Sequence, residues 1–139
     1  MLSAQLSQQL ELIQALQLTL EEEAACLREK NFTQLSDILS KKQKSLQAID
    51  ELDKVLSTDS SQNKIKDDEN LLAIKNKIES QLSTCQKINA VNGKLVELSM
   101  KSNKHLMQLM KQATGKNSVT YDQKGMLNSA SLLGKDIKA

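Results

Sequence analysis

Residues 2–27 read LSAQLSQQLELIQALQLTLEEEAACL, and this stretch decides the class of fold. Apolar side chains recur there every three or four residues, at Leu2, Leu6, Leu10, Ile13, Leu16, Leu20, Ala24 and Leu27. This spacing places them in one stripe along an α-helix and comes close to a heptad seam. It predicts an amphipathic helix from about Ser3, the N-cap, to Glu29, with one face buried against other helices.

The composition extends this prediction to the whole chain of 139 residues. Proline is absent, there are only four glycines, and aromatic residues make up 1% of the chain. A β-sandwich or an α/β enzyme of this length normally carries more aromatic and β-branched residues. We therefore predict an all-α protein, an antiparallel bundle or coiled coil of three long helices. A mean hydropathy of −0.44 suits slender helices better than a deep ligand pocket.

A second helix is predicted from about Phe32 to Ser57. The apolar spacing lengthens between Leu27 and Phe32, and Asn31 followed by Gln34 is typical of a capping box. This pattern indicates a tight turn near Asn31. A single long helix with a local kink is the alternative, and the sequence alone leaves both open.

The third helix is predicted to begin at the acidic residues 67–69 and to run to about Ala113. Residues 58–66 before it are polar and lack an apolar period, which predicts a loop. Asn92-Gly93 interrupts the helix, so a kink or the start of a fourth helix is expected there. Gly115 is the expected C-cap.

The second half of the third helix is the predicted binding surface, because its apolar arc is wider than one seam. Its members are Val91, Leu95, Val96, Leu98, Met100, Leu106, Met107, Leu109 and Met110. The chain's own tail, a second copy or a client protein can cover such an arc. Polar residues interrupt it, namely Asn89, Asn92, Ser99 and Ser102, and they either mark a surface that is sometimes exposed or fix the register of a coiled coil.

Residues 115–139 differ in character from residues 1–114, which we predict to be the helical bundle domain. Three of the four glycines fall in this last part, among small polar residues and short apolar pairs. We expect a flexible C-terminal tail whose apolar pairs anchor a partner. Tyr121, the only tyrosine, lies in it.

The sequence gives no support to an enzyme, a metal site or a cofactor site. His105 is the only histidine, and we expect it on the surface. The consecutive Glu21, Glu22 and Glu23 point in different directions around a helix and are interpreted as a solvated face. Cys26 and Cys85 are far apart and are expected to be buried or half-buried thiols.

The expected location is the cytoplasm, since neither a signal peptide nor a membrane span is evident. The excess of lysine in residues 94–139 is scattered and lacks arginine, which disfavours nucleic-acid binding.

Two leucine-rich helices meet at the turn of residues 29–32, and the second contains the lysine-rich residues 39–46, LSKKQKSL. The long third helix carries Asn-x-x-Asn-Gly-x-Leu at residues 89–95, and the tail carries Thr-Tyr-Asp-x-x-Gly at residues 120–125. In the order of these segments the chain resembles the FlgN family, cytoplasmic chaperones of the flagellar type III export system. The resemblance covers essentially the whole chain.

The resemblance implies a function, clients and two binding surfaces. The implied clients are the hook–filament junction proteins, bound by their C-terminal segments before export so that they do not assemble prematurely. It places client binding on the apolar arc from Leu95 to Met110. It gives Tyr121 a role in docking on the cytoplasmic domain of the export gate. The alternative function is a structural homodimeric coiled-coil spacer or adaptor, whereas a monomer or weak homodimer that captures a client favours the chaperone.

Overall fold

The computed structural model describes residues 2–116, the last five of them by their backbone only. Five helices account for nearly all of this part of the chain: α1 (Leu2–Glu29), α2 (Leu35–Leu56), α3 (Asp59–Asp67), α4 (Glu69–Met100) and α5 (Lys104–Lys116). No strand occurs among the described residues. The predicted all-α class is confirmed, and none of these helices is long and apolar enough to cross a membrane.

Three long helices, α1, α2 and α4, form the body of the bundle. Helix α2 runs antiparallel to α1, since Gln9 of α1 hydrogen-bonds the Ile49 carbonyl near the end of α2, while Glu22 pairs with Lys41 near its start. Helix α4 runs parallel to α1, because Cys85 lies at the level of Ile13 and Asn92 at the level of Leu20. The result is the predicted three-helix bundle, in an up-down-up arrangement.

The main core fills the space between these helices. The apolar stripe of α1 provides Leu6, Ile13, Leu16 and Leu20, all fully buried. They meet residues of the other helices: Leu46, Ile49 and Leu56 of α2, Ile65 of α3, and Ile78, Leu82 and Cys85 of α4. Burying a Leu or Ile side chain contributes roughly 1.5–3 kcal/mol, so this cluster is the main source of stability.

The turn after α1 separates two helices and thereby settles the alternative that the sequence left open. Lys30 has a positive φ of 57°, its amide donates to the Leu27 carbonyl, and the Asn31 amide donates to the Cys26 carbonyl. These two bonds form a Schellman motif that ends α1. The predicted capping box is wrong: the side chain of Gln34 caps nothing, and the Asn31 side chain instead accepts from Thr33.

Residues 58–66 are helical, so the predicted loop is wrong there. Thr58 is the N-cap of α3, and its hydroxyl oxygen accepts from the Ser61 amide at 3.3 Å. Ile65, the only strongly apolar residue of this segment, is fully buried against the main core. One buried apolar side chain and one N-cap therefore suffice to keep these nine residues helical, although they show no apolar period.

Helix α4 begins as predicted and ends earlier than predicted. Asp68 caps its start by accepting from the amides of Asn70 and Leu71, at 2.8 and 3.3 Å. The helix passes through Asn92-Gly93 without interruption and stops at Met100. The break lies at residues 101–103, where the Asn103 side chain accepts from the Leu106 amide at 2.9 Å and caps α5.

Helix α5 is separate from α4 and packs against the bundle through its own apolar residues. Leu106 and Met110 are buried in a second core cluster. The other members of that cluster lie at the turn and in three helices: Cys26, Leu27, Phe32, Leu35, Ile38, Leu39 and Val96. Gly115 lies inside α5 and not at a C-cap. The predicted division at residue 114 stays a prediction. Of the predicted flexible tail, residues 115–116 belong to α5 and residues 117–139 lie outside the described residues.

Candidate functional site

A buried ion pair connects α1 and α2 in the middle of the molecule. Lys42 Nζ lies 3.3 and 3.4 Å from the two carboxylate oxygens of Glu23, and neither side chain is exposed to solvent. Burial lowers the pKa of Lys42, and the neighbouring Glu23 carboxylate opposes that effect. The interpretation of Glu23 as solvated was wrong, while Glu21 and Glu22 are exposed as expected.

Two asparagines of α4 complete this polar network. Asn89 Oδ1 accepts from Lys42 Nζ at 2.5 Å. Asn92 Nδ2 donates to Glu23 Oε1 and to the Leu20 carbonyl, both at 2.9 Å. Both asparagines are fully buried, which favours the register-fixing interpretation of them over the exposed-surface one. The network therefore orders the three long helices and is closed to solvent.

An open apolar groove lies between the end of α4 and α5. It has a volume of about 400 Å³, and its lining residues are Gly93, Val96, Glu97, Met100, Met107, Met110 and Lys111. Its floor is apolar, with Val96 and Met110 buried in the second core cluster. Met107 is 37% exposed, so the groove opens to solvent along its α5 side.

The edges of the groove carry features that the sequence analysis did not single out. Glu97 of α4 and Lys111 of α5 are exposed and place opposite charges beside the apolar floor. Gly93 has no side chain, so a bound backbone can come close to α4 there. The Asn-Gly pair was a usable signal, although it was interpreted as a break in the helix.

The predicted binding residues fall into three environments. Val96, Leu106 and Met110 are buried in the second cluster, and Leu95, Met100 and Leu109 are half-buried. Leu98 and Val91 are 63% and 48% exposed. Since residues two apart on a helix point about 200° apart, Leu98 faces away from Val96 and from the groove. The predicted arc is thus divided between core, groove and an outer face.

Titratable and metal-binding chemistry is sparse in the described part of the chain. His105 is exposed, as expected. No three His, Cys, Asp or Glu side chains of the described residues lie close enough to hold a metal ion. Cys26 and Cys85 are buried free thiols, as predicted, and burial raises the pKa of Cys85 to about 12. Tyr121 lies outside the described residues.

Three comparisons bear on what this arrangement does. A family model described as FlgN protein matches residues 1–129, which is most of the chain. No curated protein matches the chain. No solved structure matches it either.

Proposed function

Because the chain belongs to the FlgN family of flagellar export chaperones, we propose that its clients are the hook–filament junction proteins. It binds their C-terminal segments in the cytoplasm, prevents their premature assembly and delivers them to the export gate. The observation that supports a binding role at a definite place is the open groove between α4 and α5. It is the one part of the predicted apolar arc that combines buried apolar walls with access from solvent.

The groove suits an amphipathic helix that must be held and later released. Between Gly93 and Met100 it extends about two helical turns, roughly 10 Å at 1.5 Å per residue. Such a groove accepts apolar side chains at positions i, i+3 or i+4, and i+7 of a helix. Met100, Met107 and Met110 line it, and methionine side chains adapt to different apolar partners.

The outer face of α4 is a second candidate surface, separate from the groove. Leu98 and Val91 belong to the predicted client-binding set and are exposed. Their exposed position suits one of two partners, either a further part of the same client or a second copy of the chain. The homodimeric spacer is therefore retained as the alternative function, supported by this exposed pair alone.

Docking on the export gate is proposed for Tyr121 in the C-terminal segment. The residue is five positions beyond the end of α5 and does not belong to the proposed client-binding set. The two binding events then use different residues. Replacing Tyr121 is expected to spare client binding and to weaken binding to the cytoplasmic domain of the gate.

Isothermal titration with peptides from the C-terminal segments of the junction proteins tests the client proposal. Met107→Asp places a charge in the groove, and we expect it to weaken binding by roughly tenfold or more, because a carboxylate is costly to bury beside apolar walls. Leu98→Asp tests the outer face. Leu18→Asp is the matched control, since Leu18 is 64% exposed and Leu98 is 63% exposed.

The three variants separate the possible results. Loss of binding in Met107→Asp with normal binding in Leu18→Asp supports the groove. Loss only in Leu98→Asp moves the client to the outer face of α4. If the unmodified chain binds no junction peptide, and sedimentation shows a dimer that Leu98→Asp dissociates, the spacer function replaces the chaperone function.

A further inference from the structure

The end of α5 lies close to the groove that it helps to form. Met107, Met110 and Lys111 of α5 line it together with residues 93–100 of α4. Helix α5 extends to Lys116, five residues beyond the groove edge at Lys111. The remaining 23 residues of the chain, 117–139, therefore follow directly on the helix that forms one wall of the groove.

Residues 126–133 have the sequence pattern that such a groove accepts. They read MLNSASLL, carry no charge, and are bounded by Gly125 and Gly134. Met126, Ala130 and Leu133 are spaced i, i+4 and i+7, which is the spacing of one helical face. The same seven-residue interval separates Gly93 from Met100 on the groove floor.

The chain between α5 and this segment is long enough to place it there. Residues 117–125 form a connection of nine residues, which spans up to about 30 Å when extended. The groove itself is only about 10 Å long, so Met126 can reach either end of it. Gly125 at the end of this connection permits a sharp reversal of the chain.

We propose that residues 126–133 of the same chain occupy the groove between α4 and α5 when no client is bound. The uncharged segment leaves Glu97 and Lys111 in solvent at the two edges.

An occupant from the same chain is favoured over a second copy by area and by tethering. A groove of two helical turns buries far less than the about 1,200 Å² that stable protein–protein contacts need. A short flexible connection gives the tethered segment an effective concentration in the millimolar range at the groove. No translational or rotational entropy of a second molecule is lost. A contact too small to hold two chains together can therefore hold the tail.

The regulatory consequence rests on the proposed function of the groove. A client segment must displace residues 126–133, so the apparent affinity for the client is reduced by the fraction of time that the groove is free. If the tail fills the groove about 90% of the time, releasing it tightens client binding about tenfold.

The contact is tested first without any client, by methyl NMR of the full chain. The chain has five methionines, of which Met100, Met107 and Met110 line the groove. A nitroxide is attached at Asn128→Cys in a chain that carries Cys26→Ala and Cys85→Ala, because Cys26 belongs to the same cluster as Met110 and must not be labelled. We expect it to broaden the three groove methyl signals and to spare the signal of Met1, which precedes α1 in the sequence.

Two variants with the same added charge test whether the contact depends on the apolar face of residues 126–133. Leu133→Asp lies on the proposed apolar face and is expected to remove the broadening, whereas Ser131→Asp, on the opposite side of a helix, leaves it in place. Absence of broadening in the unmodified tail overturns the proposal. Broadening that appears only between labelled and unlabelled chains in a mixed sample also overturns it, in favour of a second copy.

Titration of a junction peptide then separates this proposal from the proposed function. Tighter client binding by Leu133→Asp than by Ser131→Asp confirms competition in the groove. If Leu133→Asp removes the broadening but leaves the client affinity unchanged, the tail binds in the groove and the client binds elsewhere. In that case the proposed client site fails while the tail contact stands.

Discussion

At the residue scale, the burial of individual charges distinguishes neighbours that look alike in the sequence. Lys41 pairs with Glu22 at 3.1 Å on the surface, while Lys42 pairs with Glu23 in the core, one residue further along each helix. The surface pair is screened by water and contributes little to stability. The core pair is shielded from water, so its charges are stabilised only by their protein partners, among them Asn89 and Asn92.

Replacing Lys42 by Met is expected to lower the free energy of unfolding by about 3–5 kcal/mol, because it removes the partner of a buried carboxylate. Lys41→Met is the control and is expected to change stability by less than about 1 kcal/mol. Urea denaturation followed by circular dichroism measures both. The double variant Glu23→Gln/Lys42→Met should regain part of the loss. Equal small effects for both lysines would show that the core pair is not needed.

The backbone conformation of Lys30 is set by the turn that ends α1. Its φ of 57° is unfavourable for a residue with a Cβ atom, whereas glycine adopts it freely. Lys30→Gly is therefore expected to raise the free energy of unfolding by about 0.5–1 kcal/mol. Ala25→Gly, at an exposed position inside α1, should lower it by about 1 kcal/mol. Thermal unfolding checks both signs, and a destabilised Lys30→Gly would contradict the Schellman geometry.

At the scale of elements, the helices differ in how firmly they are held. Helix α4 packs along the whole of α1, and both contribute to the main core. Helix α5 attaches to the bundle through the second cluster and begins at a single side-chain cap, Asn103. Its low contact density makes it the element that opens first, which suits the wall of a groove that must admit a client.

The cap of α5 gives a prediction for this element alone. Asn103→Ala removes the acceptor for the Leu106 amide, which costs about 1 kcal/mol of helix stability. Hydrogen exchange read by mass spectrometry should then be roughly fivefold faster in α5 and unchanged in α1 and α4. Ser102→Ala, at the exposed neighbouring residue, serves as the control. Uniform acceleration across all helices would mean that α5 does not open by itself.

At the scale of the whole molecule, the two core clusters are expected to open independently. Cys85 belongs to the main cluster, while Cys26 belongs to the second cluster with residues of α5. Opening of α5 uncovers only the second cluster. Exposure of Cys85 requires separation of α1 from α4, which is global unfolding.

Labelling of the two thiols tests this difference. We expect an alkylating reagent at neutral pH to modify Cys26 at least about tenfold faster than Cys85, measured by mass spectrometry of the intact chain. The pKa of Cys85 is raised to about 12, which keeps its thiol protonated and adds to its protection. In denaturant both should react at similar rates. Equal rates in the native protein would show that the bundle opens as one unit.

The sequence by itself determined the helical class and the start of α4, while it left the turn after α1 open between a turn and a kink. The helical class and the start of α4 depend on interactions within a few residues: the apolar period of residues 2–27 and the Asp68 cap. Local interactions of this kind are the same in any tertiary setting, so the pattern predicts them directly.

Only the tertiary structure decided which charges are buried, where the long helix ends and where the groove lies. A helical period places Glu23 and Lys42 on a face of their own helices, but not against each other, because that depends on how three helices are rotated in the bundle. Gly93 stays helical since the adjacent Asn92 is bound into the core, and the chain breaks instead at Asn103, whose cap lets Leu106 and Met110 reach the second cluster. The groove lies between the two helices that this break separates, so no single stretch of sequence contains it.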